Sequence, residues 1–220
     1  MIRGLASLAL LVAVAACGGS AATPSPGGPG GSVLPAGTYT SISFQPPVTF
    51  TVPDGWVLVT DIAGLLQLQP ADSDLIGIHL FRDPSAASQD AACPAAPEPG
   101  VGRTSSVLSA WIRERPGLAV SPPTMVTVAG IPGIGLDVSL KADWTQSCPF
   151  ANGVPSVSLF NSPAVDHWVV VGNERLRLYL LDVPGGGTVV VDLDAFDGDL
   201  LENLVGRAAG VVRSLKFAAG

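Results

Sequence analysis

The chain has 220 residues with 11 basic and 18 acidic side chains, a formal charge of −7, and 47% apolar against 13% charged residues. Two lysines and nine arginines spread thinly cannot supply the clustered cations that phosphate backbones require, so no nucleic-acid partner is expected. The apolar fraction also excludes an acidic disordered tail, and the length suits one domain with a substantial core.

Met1-Ile2-Arg3 makes a short positive start, and residues 5–16 are an almost unbroken run of Ala, Leu and Val. Crossing a bilayer takes about 20 apolar residues, so this run is too short to span and has the length of a signal-peptide core. It ends in Val14-Ala15-Ala16-Cys17, which resembles the lipobox of bacterial lipoproteins: a branched apolar residue, two small ones, then cysteine. The resemblance implies that residues 1–16 are a signal peptide that is removed. Cys17 then becomes the lipidated N-terminus, with diacylglycerol on its thiol and a fatty chain such as palmitate. The protein is then anchored to the bacterial cell membrane on its extracytoplasmic side. The alternative is an ordinary secretory signal with an incidental cysteine. Residues 18–31, GGSAATPSPGGPGG, carry no periodic apolar side chain and read as a solvated spacer. Residues 17–35 are therefore assigned to the lipidated cysteine and its tether, and residues 36–220 to a single exported domain. Losing Arg3 leaves ten basic against 18 acidic side chains, which argues against polybasic adhesion and leaves the acyl chains as the anchor.

Two cysteines remain, Cys93 in DAACPAAPEPG and Cys148 in TQSCPFANG. An even pair in an exported domain is most simply a disulfide. Two free thiols, one of them catalytic, is the rival reading, although neither has a CxxC motif or a neighbouring Lys or His.

From residue 36 the pattern is short apolar segments punctuated by Pro and Gly. Residues 38–44 alternate, and residues 48–52 do so again, with Val48, Phe50 and Val52 on one face. After the Pro53-Asp54-Gly55 turn, residues 56–60, 64–69 and 75–81 complete an antiparallel meander. His79 alternates with Ile78 and Leu80, which predicts that it points to the less buried face. Residues 83–103 are irregular. Thr104-Ser105-Ser106 then caps a helix with Val107, Leu108, Trp111 and Ile112 on one face, stopped by Pro116. Strands resume at 124–128 and, after a turn at Gly130-Ile131-Pro132-Gly133, at 134–140. Further strands follow at 156–160, 168–171, 175–183 and 188–193, with hairpin turns at 172–174 and 184–187. At the C-terminus Leu200, Leu204, Ala208, Val211 and Leu215 recur at helical spacing, and Asp199 with Glu202 forms a capping box. Residues 214–217 are a last turn or a short strand. No internal repeat emerges, which disfavours solenoids and propellers.

The order of elements predicts an α+β fold: a mainly antiparallel β-sheet with a central helix and a C-terminal amphipathic helix. TMVTVAGIPGIGLDVSL at 124–140, the closing VVRSLKF, and FTVPDGW at 50–56 resemble the PsbP-like fold, including actinobacterial lipoproteins of the LpqN type. That resemblance implies an α/β/α sandwich over residues 38–218. Members serve as photosystem subunits, a small-GTPase partner and lipoproteins, so it implies no single function and carries no site residue to this chain.

Asp192, Asp194, Asp197 and Asp199, with Glu202 beyond, suggest a calcium loop. Counted from Asp192, however, the EF-hand register puts Phe196 at position 5, Asp197 at position 6 and Asn203 at position 12. Acidic residues collected at a helix N-terminus explain Asp197, Asp199 and Glu202 without a metal, and a weak calcium site is the alternative. The glycine runs at 130–135 and 185–187 lie between strands and read as turns rather than phosphate cradles. His79 and His167 are the only histidines. His167, beside Asp166 and Trp168, is the better candidate for catalysis, but two histidines cannot build a three-histidine zinc site, and no HExxH or GxSxG is present. Trp56 and Trp111 lie on core faces. Trp144, near Cys148, and Trp168 are candidates to line a ligand groove, the alternative being that Trp144 covers the disulfide. No cofactor is implied. The leading expectation is a non-enzymatic, membrane-anchored envelope module that binds a partner protein or an apolar ligand. The alternatives are a lipid or small apolar ligand carrier and a hydrolase using His167 with Asp166 or a distant Ser.

Overall fold

Alternating apolar side chains form fifteen strands among the described residues, and the pairing of nine of them makes one large sheet clothed on both faces. The computed structural model describes residues 31–218. The expected signal peptide, Cys17 and the first part of the tether lie outside the described residues. The strands begin with β1 (Ser32–Leu34), β2 (Gly37–Thr40), β3 (Val48–Val52), β4 (Trp56–Ile62), β5 (Leu65–Pro70), β6 (Ile76–Arg82) and β7 (Ser85–Ala86). Helix α1 (Ser105–Glu114) follows, then β8 (Leu118–Val120), β9 (Thr124–Val128) and β10 (Ile131–Leu140). The remainder is β11 (Ser156–Ser162), β12 (Val165–Val171), β13 (Arg175–Asp182), β14 (Thr188–Ala195), α2 (Gly198–Ser214) and β15 (Lys216–Phe217).

Every strand pair is antiparallel. The main sheet runs β1-β4-β5-β6-β14-β13-β10-β8, with β9 also paired to β10. Because side chains alternate across a strand, β6 sends Ile76, Ile78 and Leu80 to one face and Phe81 to the other. The first face is covered by α2 and the small sheet β15-β3-β2, through Leu201, Leu204, Ala208, Phe50 and Val52. The second is covered by α1 and the sheet β12-β11-β7, through Leu108, Ile112, Leu159, Phe160 and Val170. The molecule is thus an α+β fold with one helix on each side of an antiparallel sheet. Among the described residues no helix is long and apolar enough to cross a membrane.

Several boundaries differ from the sequence reading. The tether, expected to reach residue 35, ends sooner: Ser32–Leu34 pairs with β4, and Leu34 is buried. The strand expected over 38–44 stops at Thr40, because the Asp61 carboxylate gathers the backbone amides of Ile42, Ser43 and Phe44 at 2.5, 3.1 and 2.8 Å. The turn before β10 is only Ala129-Gly130, both at positive φ, and Ile131-Pro132-Gly133 belongs to the strand. Gly133 has a packing reason: a Cβ there would meet Leu181 at 2.4 Å on β13. In α1, Thr104 caps as expected, but Val107 is 40% exposed. Ser105 and Ser109 are buried beside Leu108, Trp111 and Ile112, with Ser105 held by Asp182 through backbone and hydroxyl at 2.8 and 2.7 Å. The cap of α2 is Asp197, which accepts from the Leu200 amide at 2.9 Å, rather than Asp199 in a box with Glu202. Leu201 and Val212 accordingly join the buried face.

Candidate functional site

The β6–β14 register places His79 directly opposite Asp192. Both lie on the face covered by β12, so His79 is only 4% exposed, contrary to the less buried face expected of it. The reason is the second sheet: Trp168 of β12 comes down onto the pair, its ring centroid 4.7 Å from that of His79 and 4.6 Å from that of Phe81. The Trp168 indole N–H donates to Asp192 Oδ2 at 2.9 Å. Burial lowers the His79 pKa to about 3, which keeps the imidazole neutral. Burial, with Asp194 and Glu174 nearby, raises Asp192 well above the usual carboxylate range, so it holds its proton. Glu174, in the turn before β13, is pushed up to about 9 by burial and by Asp194, even though its Oε2 accepts from the Val171 amide at 2.8 Å. Its carboxyl donates to Asp194, itself raised to about 6 by burial. Asp192 is wholly enclosed, whereas Glu174 and Asp194 are half-buried at the margin of the core.

The acidic run is therefore divided. Asp192 and Asp194 share the inward face of β14, Asp197 caps α2, and Asp199 sits in its first turn. The four do not converge, and among the described residues no three His, Cys, Asp or Glu side chains gather in a metal-holding group. His167 and Asp166 are neighbours on β12, whose consecutive side chains point to opposite sides. His167 packs on Phe150 at 4.5 Å between ring centroids, and Asp166 is exposed. Trp168 thus points into the core rather than into a groove.

Trp144 lies elsewhere. Cys93 and Cys148 are joined in a disulfide, with Cα atoms 5.6 Å apart. Trp144 donates to the Ser156 carbonyl at 3.0 Å and helps to wall a cleft of about 260 Å³ beside the bridge. Its ring also lies over Gly117, whose positive φ of +84° and missing Cβ make room for it. Trp144 and Trp168, expected to share a ligand groove, are therefore separated, and Trp144 alone meets a cavity.

A second opening lies on the α2 face. Helix α2 packs chiefly over β3, β14, β6 and β13, leaving a gap towards β9. The gap is a trough of about 340 Å³, walled by Val126 and Val128 of β9, Leu193 of β14, and Val205, Ala209 and Val212 of α2. Tyr179 and the exposed Arg213 supply its polar margin. Burial raises the Tyr179 pKa, outweighing the nearby Arg177, so the hydroxyl stays protonated. Ala209 contributes too little side chain to fill the space. Sequence reading missed this site because its walls, β9 and α2, lie far apart in the chain. The one local signal was Ala208-Ala209-Gly210, where a bulky helix former would be equally at home.

No family model matches the chain. No curated protein matches it either. Among solved structures it is similar to the solution structure of cyanobacterial PsbP (CyanoP) from Synechocystis sp. PCC 6803, over 89% of this chain and 98% of that chain. The TM-score is 0.43 and the sequence identity 12%, a likeness too loose to transfer any residue or role. The α+β class rests instead on the observed strands and helices.

Proposed function

We propose that the chain is a lipid-anchored domain of the bacterial cell envelope that binds rather than catalyses, and that a small apolar or lipidic molecule occupies the trough between α2 and β9. The trough is the observation that carries the reading: its volume lies in the range of small-molecule sites, and its lining is mostly aliphatic with a few polar groups at the edge. The Val14-Ala15-Ala16-Cys17 pattern supports the anchor, and the Cys93–Cys148 bridge suits an oxidising compartment. Mild detergent extraction followed by native mass spectrometry tests the binding. A bound apolar molecule is expected, and it should vanish in Ala209→Phe, which fills the trough; clean apo protein in every preparation would count against the reading. In the same cells, Cys17→Ala should move the protein from the membrane fraction to the soluble one.

A protein partner is favoured by a different observation. Among the described residues β9 pairs only with β10, and its uncharged free edge carries Met125 at 81% exposure. Such an edge accepts an added strand. A photo-crosslinking residue at position 125 should then capture one discrete protein, and an empty crosslinking lane would remove this reading.

A further inference from the structure

The cleft beside the disulfide contains a buried cation that no carboxylate touches. Arg115 follows α1 as its C-cap and is 8% exposed. Its guanidinium carbon lies 4.8 Å from the Trp111 ring centroid, and Nη2 donates to the Ser158 carbonyl at 3.3 Å. Nε is buried without a partner, and so is the Ser158 hydroxyl. Among the described residues no carboxylate forms an ion pair with Arg115. Glu98 acts on Arg115 through its charge alone while its Oε2 accepts from the Gln89 amide at 2.6 Å, and Asp90 Oδ1 accepts from the Ala92 amide at 2.8 Å. Nη1 and the second hydrogen of Nη2 thus remain without a protein acceptor, on a side chain that lines the cleft with Ser158, Trp144 and the bridge.

A buried guanidinium with unfilled donors costs stability unless something accepts from it. We infer that this cleft is a binding site for a carboxylate carried on a small, partly apolar body, with Arg115 as the anchor and Trp144 as a wall. A carboxylate suits the end-on fork of two N–H groups better than a spherical anion does. Asp90 also lines the cleft, so a monoanion is repelled less there than a phosphate dianion would be. Both walls come from the bridged loops, so the site depends on the Cys93–Cys148 bond that holds residues 89–93 against residues 144–148. This inference is independent of the trough.

Benzoate is a suitable probe, with one carboxylate and a flat apolar body, and benzyl alcohol and inorganic phosphate serve as controls. In the intact, oxidised domain, titration with benzoate should shift the Arg115 Nε–Hε NMR resonance saturably and leave that of Arg177, already forked onto Asp137, in place. Benzyl alcohol should produce no shift, and phosphate a weaker one. Arg115→Lys should weaken benzoate binding about tenfold or more, the loss of one charge-assisted hydrogen bond. Should that variant fail to fold, Trp144→Leu, which leaves the cation in place, should still weaken benzoate without affecting phosphate. An Arg115 resonance unmoved up to the solubility limit of benzoate would overturn the inference. An equal shift with benzyl alcohol would overturn it as well.

Discussion

Raising the pH from 6.5 to 8 should destabilise this fold, and the cause is the buried carboxyl cluster under β12. Asp192 and Glu174 keep protons in the native state that their unfolded counterparts have already released, Glu174 holding its own until about pH 9. Their stabilisation is complete below the unfolded carboxylate range and is lost as pH climbs towards the folded value. Each extra proton in the native state contributes a slope of at most about 1.4 kcal/mol per pH unit, so one proton alone removes about 2 kcal/mol across this window. His79 acts in the opposite sense and at lower pH. Kept neutral down to about pH 3, it stabilises the fold above its unfolded value of 6.5 and weakens it as pH falls below that. Between the carboxylate range and pH 6.5 the two retained carboxyl protons outweigh the one that His79 forgoes, so stability should already fall there, more gently than above pH 6.5. Urea unfolding followed by tryptophan fluorescence between pH 5 and pH 8 measures the curve, and a constant m-value would confirm that only stability changes. Glu174→Gln keeps an acceptor for the Val171 amide but removes one titrating group, so its decline above pH 6.5 should be shallower. A midpoint that is flat or rising from pH 6.5 to 8 would refute the argument, as would an unchanged slope in Glu174→Gln.

The Cys93–Cys148 bond spans 55 residues, for which loop entropy gives a ceiling of about 4 kcal/mol. Reduction should lower the unfolding midpoint accordingly and add two hydrogens to the intact mass, whereas alkylation of either thiol in unreduced native protein would refute the bridge. Gly117→Ala would set a Cβ 2.5 Å from the Trp144 ring at a φ of +84°, costing about 1–3 kcal/mol and displacing the indole. Unchanged melting together with unchanged tryptophan emission would show that Trp144 is not held there.

Elements whose information is local were legible in the sequence. Val48, Phe50 and Val52 alternate and are buried, Thr104 precedes its helix as an oxygen cap must, and Pro116 stops that helix. The bridged cysteines also agree with the reading of an even pair in a chain expected to be exported. What failed depended on partners remote in the chain. Strand β8 is three residues long and exists because Val138, Ser139 and Leu140 offer it an edge. His79 looked like an outward residue because its neighbours are apolar, but a sheet covered on both faces has no outward side there. The same covering took Trp168 from a supposed groove and gave it to Asp192. Arg115 carried no signal of its own, being one of three charged residues in a row that lead from the helix to a proline.

Strand β15 has a consequence for the order in which the molecule can assemble. Lys216 and Phe217 pair with Thr49 and Val48, and the Ser214 hydroxyl accepts from the Thr51 amide at 2.7 Å across 163 residues. Leu215, between them, is 1% exposed. One of the earliest strands therefore receives an outer neighbour only from some of the last residues described, so the α2-side core cannot close around a partly synthesised chain. Contacts this distant slow folding, and the delay keeps an emerging chain extended while its later parts are still to come. If the chain is exported as proposed above, that delay would keep it threadable until its last residues have crossed.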